Sequence, residues 1–479
     1  MKKTACFLLI LTAMLAACGE TAAPSSDTTA APDTTTAAPE TELVPDLPDK
    51  TYDGKTFTAY IRDDNYRRES FTVEEATGDV LNDAIFDRTR NVEERFGIDI
   101  KTHINSGDAL GNNSKSAILA GDDEYQLISA FFRTSITFAS EELCYDWNEL
   151  PYVDLSKPWW DGELQDTIAL GSKRFIMMDT LTQDSLGATK SLLFVKHFFD
   201  THKVDYPYDL VRDGKWTFDK MAEYIRMFAQ DVNGDTKMNL ADDYFGYIGQ
   251  WWQQPMNILA TADQYIAEIN DKGELTLTLN SPRTVEVYEA FFKLVDEDAY
   301  FMNPDDNYTD MNNAFHAGRG AFQEATLFSA STRRDMTADF GIIPPPKFDE
   351  SVDGYHTLID GSCNGLIVPV TVSDPEFVSA VLEALCYENN RTVIPAYYDR
   401  VLQGKIARDE DSLEMLDIIR AARTCDAGYM YLASISGGGA FADIGQQLTQ
   451  YPDHNFSSYY AIYEESVLEI VKQINELYQ

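Results

Sequence analysis

Basic residues are scarce in this chain: 38 lysines and arginines stand against 79 aspartates and glutamates, for a formal charge of −41. A surface of that sign repels nucleic-acid phosphates and anionic lipid, which argues against both as partners. It favours solubility and draws cationic ligands. Histidine is also short, with six residues in no metal-ligand spacing. No phosphate-cradling glycine loop occurs, and no internal repeat marks a solenoid or modular adhesin. Past residue 17, no apolar run approaches the roughly 18 residues that suggest a membrane span. Cysteine is sparse too: beyond Cys6 and Cys18 there remain Cys144, Cys363, Cys386 and Cys425. Their wide, irregular spacing fits neither a zinc site nor a disulfide framework. One bridge and four buried thiols are both compatible with it.

What is present begins with the N-terminus. Lys2 and Lys3 precede an apolar run over 5–17 whose only polar member is Thr12, and Leu15-Ala16-Ala17-Cys18 closes it. This is the layout of a secretory signal, too short to span a bilayer. Its ending resembles a bacterial lipobox, which implies cleavage before Cys18, lipidation of Cys18 and a membrane-tethered extracellular protein. Losing Lys2 and Lys3 takes the charge from −41 to −43. Residues 18–50, rich in Thr, Ala and Pro, have almost nothing to bury and read as a disordered tether.

The remaining chain is too long for one ordinary core, so two lobes are expected. Hydrophobic residues make up 44% and aromatics 12%, enough to fill both. Alternation predicts strands at 56–61, 98–104 and 125–132, separated by helices at 81–96 and 112–119, the first of them closed by Gly97. Strands alternating with helices argue for a parallel α/β sheet, in which ligands meet the loops at the carboxyl ends of the strands. Arg62 to Arg67 and Arg133 to Ser135 occupy that position. Farther on, 174–178 reads as a strand, Thr217 as an N-cap, 275–279 as a strand and 282–295 as a helix.

Two local motifs carry chemistry. In 231–242, oxygen side chains fall at loop positions 1, 3, 5, 9 and 12 (Asp231, Asn233, Asp235, Asn239, Asp242), and Lys237 offers its carbonyl at position 7. That is the spacing of an EF-hand or dockerin loop and makes a structural Ca²⁺ an expectation. Thr236 replaces the usual glycine, however, and Asp242 is shorter than the usual glutamate; a plain polar turn is the competing reading. In 244–254, Trp251 and Trp252 stand beside amides, a composition suited to stacking on sugar rings while bonding their hydroxyls. Because neighbours in an element point apart, one indole is expected to face the ligand and the other the core.

Gly318-Arg-Gly-Ala-Phe322, Asp339-Phe-Gly-Ile-Ile-Pro-Pro-Pro-Lys-Phe348, Tyr355-His-Thr357 and Gly365-Leu-Ile-Val-Pro369 follow one another over 318–369. Together they resemble the extracellular solute-binding proteins of ABC importers, chiefly those for sugars and oligosaccharides. Residues 123–150, 216–252 and 431–439 resemble further parts of the same family in order. The resemblance implies a periplasmic-binding-protein-like type II fold with two α/β lobes, hinge crossings and a ligand cleft. Its lobes would be 51–165 with 366–425 and 166–365 with 426–479. The implied ligand positions are Arg62, Asp64, Asn65, Arg133, Thr134, Trp251, Trp252, Glu324, Phe328, Asp360, Ser362 and Ser436. The implied function is a monomeric, non-enzymatic receptor delivering an oligosaccharide to an ABC permease.

An anchored hydrolase is the rival. Gly361-Ser-Cys-Asn-Gly365 outlines a nucleophile elbow with Cys363 at its centre and His454 downstream as base. An elbow needs a following helix, and Leu366-Ile-Val-Pro369 reads as extended. A two-carboxylate glycosidase is not excluded by a chain holding 79 acids.

Overall fold

Fourteen strands form among the described residues of the computed structural model, which are 43–62, 71–252, 254–304, 308–333, 335–399, 409–433, 435–451 and 453–479. The expected signal segment, Cys18, Asp64 and Asn65 lie outside them. The first strands are β1 (Thr56–Arg62), β2 (Asp99–Asn105), β3 (Leu127–Phe131) and β4 (Met177–Met178). Then come β5 (Lys190–Val195), β6 (Phe245–Gln250), β7 (Ala267–Ile269), β8 (Leu275–Leu277) and β9 (Tyr300–Asn303). Last are β10 (Gly320–Thr326), β11 (Phe340–Ile343), β12 (Thr357–Leu358), β13 (Asn364–Ile367) and β14 (Arg423–Thr424).

Two mixed sheets carry the fold. One has the order β2-β1-β3-β13-β4, with β1 parallel to β2 and β3 and with β13 antiparallel to β3 and β4. The other has the order β11-β5-β10-β6-β9, with β6 parallel to β9 and β10 and with β5 antiparallel to β10 and β11. Helices cover their faces, so strands such as β5 and β13 are buried at every residue and show no in–out alternation. Val44–Gln479 packs as one compact unit.

Local chemistry sets the helix ends. Asp79 accepts the amides of Leu81 and Asn82 to start Val80–Phe96, and Gly97 ends it at φ 64°, where a Cβ would be strained. Thr217 caps Phe218–Phe228, and Ser281 followed by Pro282 opens Pro282–Val295. Glu383, buried in helix Pro375–Glu388, accepts both indole N–H groups of Trp159 and Trp160 at 3.0 and 2.8 Å, locking the Pro158-Trp-Trp turn to the first sheet's helix.

The sheets relocate two segments relative to the expected lobe boundaries. Met177–Met178 pairs with β13 in the first sheet, so the first crossing between sheets runs through 179–189 rather than at 165. Helix Glu410–Ala421 packs on β11 of the second sheet, whereas the family resemblance implies that 366–425 belongs to the first lobe. The second crossing, 359–363, lies beside the first: Thr189 and Ile359 form an antiparallel bridge, and the Asp360 amide donates to the Ala188 carbonyl at 3.0 Å.

Candidate ligand-binding site

Carboxyl ends of parallel strands from both sheets open on one cavity of about 510 Å³. Arg133 comes from the helix that follows β3, Trp251 and Trp252 from the turn that follows β6, and Tyr308 from the start of the helix after β9. Asp360, Gly361 and Ser362 come from the second crossing, and Tyr429, Asp443 and Gln446 from helical turns near the C-terminus. A larger groove of about 1090 Å³ runs along the outer edge of β2, lined by charged and polar groups with Val73, Ile100, Ile104 and a single aromatic carbocycle, Phe86. The smaller cavity is the candidate site, because it gathers several aromatic faces and convergent polar groups where strand ends of both sheets meet the second crossing.

Four aromatic side chains and three charges line it. The Trp252 Nε1 donates to the Tyr308 hydroxyl at 3.1 Å, which sets one indole plane at the rim. Both tryptophans reach the cavity and both are half-buried, so the expected division between ligand and core does not occur. The reason is local: 251–252 form a turn between β6 and helix Gln254–Thr261, where the opposed directions of a strand no longer apply. Burial holds the Tyr429 phenol well above its usual pKa, Asp360 pushing it further, so it is a neutral hydroxyl there. Burial also raises the Asp443 carboxyl, against the opposing pull of Arg133.

Five expected positions therefore meet in one cavity: Arg133, Trp251, Trp252, Asp360 and Ser362. The other expected positions among the described residues fall elsewhere. Arg62 lies beneath the crossing, donating to the Ser362 carbonyl at 2.7 Å with its guanidinium over Phe131. Thr134 sits in the first turn of helix Phe132–Ser140, outside the lining. Glu324 is buried in β10 with its oxygens on Lys190 and Asn257, at 2.8 Å each. Phe328 packs against Gly187 and Tyr397 in the core. Ser436 is exposed on a turn between the helices that supply Tyr429 and Asp443. Tyr308, Tyr429, Asp443 and Gln446 were missed; only the nearby Ser436-Gly-Gly-Gly439 signalled that this region turns back to the cavity.

The Cys363 elbow does not assemble into a reactive centre. Cys363 is fully buried, its carbonyl accepts the Phe132 amide at 3.0 Å, and Asn364 after it opens a strand instead of the helix an elbow needs. His454 stacks on Phe292 at 4.3 Å and bonds the Leu448 carbonyl, in another part of the fold. Cys144, Cys363, Cys386 and Cys425 are all buried, with no disulfide among them. In the 231–242 loop, Thr236 takes φ 66°, the conformation usually left to glycine. Asp231 accepts the amides of Gly234 and Thr236, Asn233 that of Asp235, Asp235 that of Lys237, and Asn239 those of Ala241 and Asp242. Buried Asp243, rather than Asp242, closes the loop by accepting from Val232 and Asn239. Among the described residues, no three His, Cys, Asp or Glu side chains converge as a metal-ligand group.

The arrangement of two mixed sheets around such a cleft has close counterparts. The fold is that of ABC solute-binding proteins. An ABC substrate-binding protein of Listeria monocytogenes, solved with cycloalternan, superposes with a TM-score of 0.55 at 13% identity, covering 88% of this chain and all of its own. A cyclic α-maltosyl-1,6-maltose binding protein of Arthrobacter globiformis gives 0.59 at 12% identity over 88% of this chain and 99% of its own. A cyclo/maltodextrin-binding protein complexed with maltotetraose gives 0.58 at 13% over 86% and 97%. No protein-family model and no curated protein matches this chain.

Proposed function

We propose that this chain is a lipid-anchored receptor that captures an oligosaccharide and presents it to an ABC permease, without covalent chemistry. The observation that carries the reading is the 510 Å³ cavity in which Trp251, Trp252, Tyr308 and Tyr429 surround Arg133, Asp360, Asp443 and Gln446. Indole and phenol faces cover the apolar C–H faces of sugar rings, while carboxylates accept from hydroxyls and the guanidinium and amide donate to ring and hydroxyl oxygens. The sugars bound by the solved proteins of this fold are of the class that such a lining suits. The walls come from both sheets, so a ligand touches both only when they approach, and binding favours the closed form.

The test is a thermal-shift screen of mono- and oligosaccharides, amino acids and polyamines, since only a ligand of the native state raises the midpoint. Oligosaccharides are expected to raise it, and Trp251→Ala or Trp252→Ala to weaken the best binder at least tenfold in calorimetry. A screen in which only amino acids or polyamines respond would overturn the sugar reading. The anchor rests on Leu15-Ala16-Ala17-Cys18 and the acidic, Thr-rich tether. Cys18→Ser is expected to move the protein from the membrane fraction to the medium; retention in the membrane would count against it. The receptor acts as a monomer on the outer face of the membrane in this reading.

A further inference from the structure

The cavity's acidic wall is backed by a buried ammonium. Lys190, at the start of β5, is 3% exposed, and its Nζ lies 2.8 Å from Glu324 Oε1 and 3.6 Å from Asp360 Oδ2. The register explains the meeting. Lys190 pairs with Thr326 and Leu192 with Glu324, so Lys190 and Glu324 are diagonal neighbours on one face of the sheet. The Thr189–Ile359 bridge then brings Asp360 to the same point from the second crossing. Asp360 Oδ1 accepts the Ser362 amide at 2.9 Å, which shapes the turn Asp360-Gly361-Ser362 that lines the cavity. On the far side, Glu324 Oε2 accepts from Asn257 Nδ2 at 2.8 Å, and Asn257 belongs to the helix that follows Trp251 and Trp252. A continuous polar chain, Asn257–Glu324–Lys190–Asp360, thus runs behind the cavity from its aromatic wall to its acidic wall.

Replacing a buried ion pair by apolar residues is often neutral or stabilising, so such a cluster argues for a specific geometric task. Burial pulls the Lys190 ammonium down, but Glu324 and then Asp360 more than offset it, and it stays protonated. Asp360 also lines the cavity, which places this carboxylate where a ligand hydroxyl reaches it.

We propose that Lys190 is a positioning residue for the cleft. It holds Asp360 as an ionised, fixed hydroxyl acceptor and ties that wall, through Glu324 and Asn257, to the helix behind the tryptophans. This inference rests on the carbohydrate-receptor reading for its consequence in binding, but not for its electrostatics. Glu324, expected to touch the ligand, acts through Lys190 instead.

The experiment compares wild type, Lys190→Met and the paired Lys190→Met/Glu324→Met, in which no uncompensated Glu324 charge is left if the single variant fails to fold. The first readout needs no ligand: the Asp360 carboxyl is titrated by ¹³C NMR on aspartate-labelled protein, assigned with Asp360→Asn. Removing the ammonium is expected to move its midpoint up by at least one pH unit. The second readout is calorimetry with maltotetraose from pH 5 to 8. Wild type is expected to bind with less than threefold variation, and the variants at least tenfold more weakly at pH 7, with a further fall toward pH 5 as Asp360 takes up a proton. An unmoved Asp360 titration, or wild-type affinity with a flat pH profile in a folded variant, would overturn the role of Lys190. A shifted titration with no binding of maltotetraose or any other sugar by the wild type would instead overturn the carbohydrate reading and leave the positioning of Asp360 established.

Discussion

Gly361 shows how closely the cavity wall is built at the scale of single residues. A methyl added there would overlap the Tyr429 phenol, which packs directly over the backbone of the crossing. Gly361→Ala should therefore push Tyr429 toward the ligand space. The expected result is at least tenfold weaker sugar binding in calorimetry, with a smaller effect on the unfolding midpoint because the displaced ring lies at a cavity; unchanged affinity would show that Tyr429 does not border the ligand. Several residue roles were out of reach of local pattern. Glu324 and Phe328 follow Gly318-Arg-Gly-Ala-Phe322 in sequence as ligand contacts would, yet one is a buried ion-pair partner within β10 and the other a core ring. Their partners stand far away in the chain, as with the 134 positions between Lys190 and Glu324. Trp251 and Trp252 were legible as a pair because aromatics beside amides are informative without any knowledge of their neighbours.

Among the elements, helix Ala427–Leu432 joins the site to the rest of the fold. Its N-cap, Asp426, accepts the Tyr429 amide at 3.1 Å and the Ile266 amide at 2.8 Å, so one carboxylate aims Tyr429 and binds the helix to β7. Burial raises the Asp426 pKa to about 6, against these backbone bonds. A carboxyl raised above its unfolded value binds its proton more tightly in the native state. Its contribution to stability is thus fully present below pH ~4 and lost as pH rises through about 6. Relative to Asp426→Asn, wild type should lose stability by up to ~3 kcal/mol between pH 4 and 7, at ~1.4 kcal/mol per pH unit, in urea titrations. A constant difference across that range would mean that Asp426 titrates normally. Elements whose ends are fixed by local chemistry were the ones read well. Helix Pro282–Val295 has Ser281 and Pro282 at its start, and helix Val80–Phe96 has Gly97 at its end. The strand expected at 174–178 shrank to Met177–Met178, because the extent of its pairing is set by β13, which lies nearly 200 positions later.

At the scale of the whole molecule, two mixed sheets are joined by adjacent crossings, and the proposed receptor function requires the body they make to close on its ligand. Saturating oligosaccharide should lower the radius of gyration measured by small-angle X-ray scattering, and the change should be absent in Trp251→Ala at the same sugar concentration. An identical radius with and without bound sugar would mean capture without closure. The acidic surface belongs to this scale too, since its −41 charge is spread along the sequence and marks no single site.

The sequence by itself determined the secondary elements with strong caps, the strand–helix alternation behind the parallel β2-β1-β3 part of the first sheet but not the antiparallel strands that make both sheets mixed, and the aromatic-amide composition of the 244–254 stretch. These rest on interactions within a few positions, which periodicity and end-group chemistry record. Only the tertiary structure decided which polar residues face the cavity. Arg62 bonds Ser362 across 300 positions, Lys190 claims Glu324, and Tyr429, Asp443 and Gln446 return from the C-terminal helices to complete the lining. Strand order and register bring such groups together, and a polar residue in a strand or turn looks the same in sequence whether its partner is another side chain or a ligand.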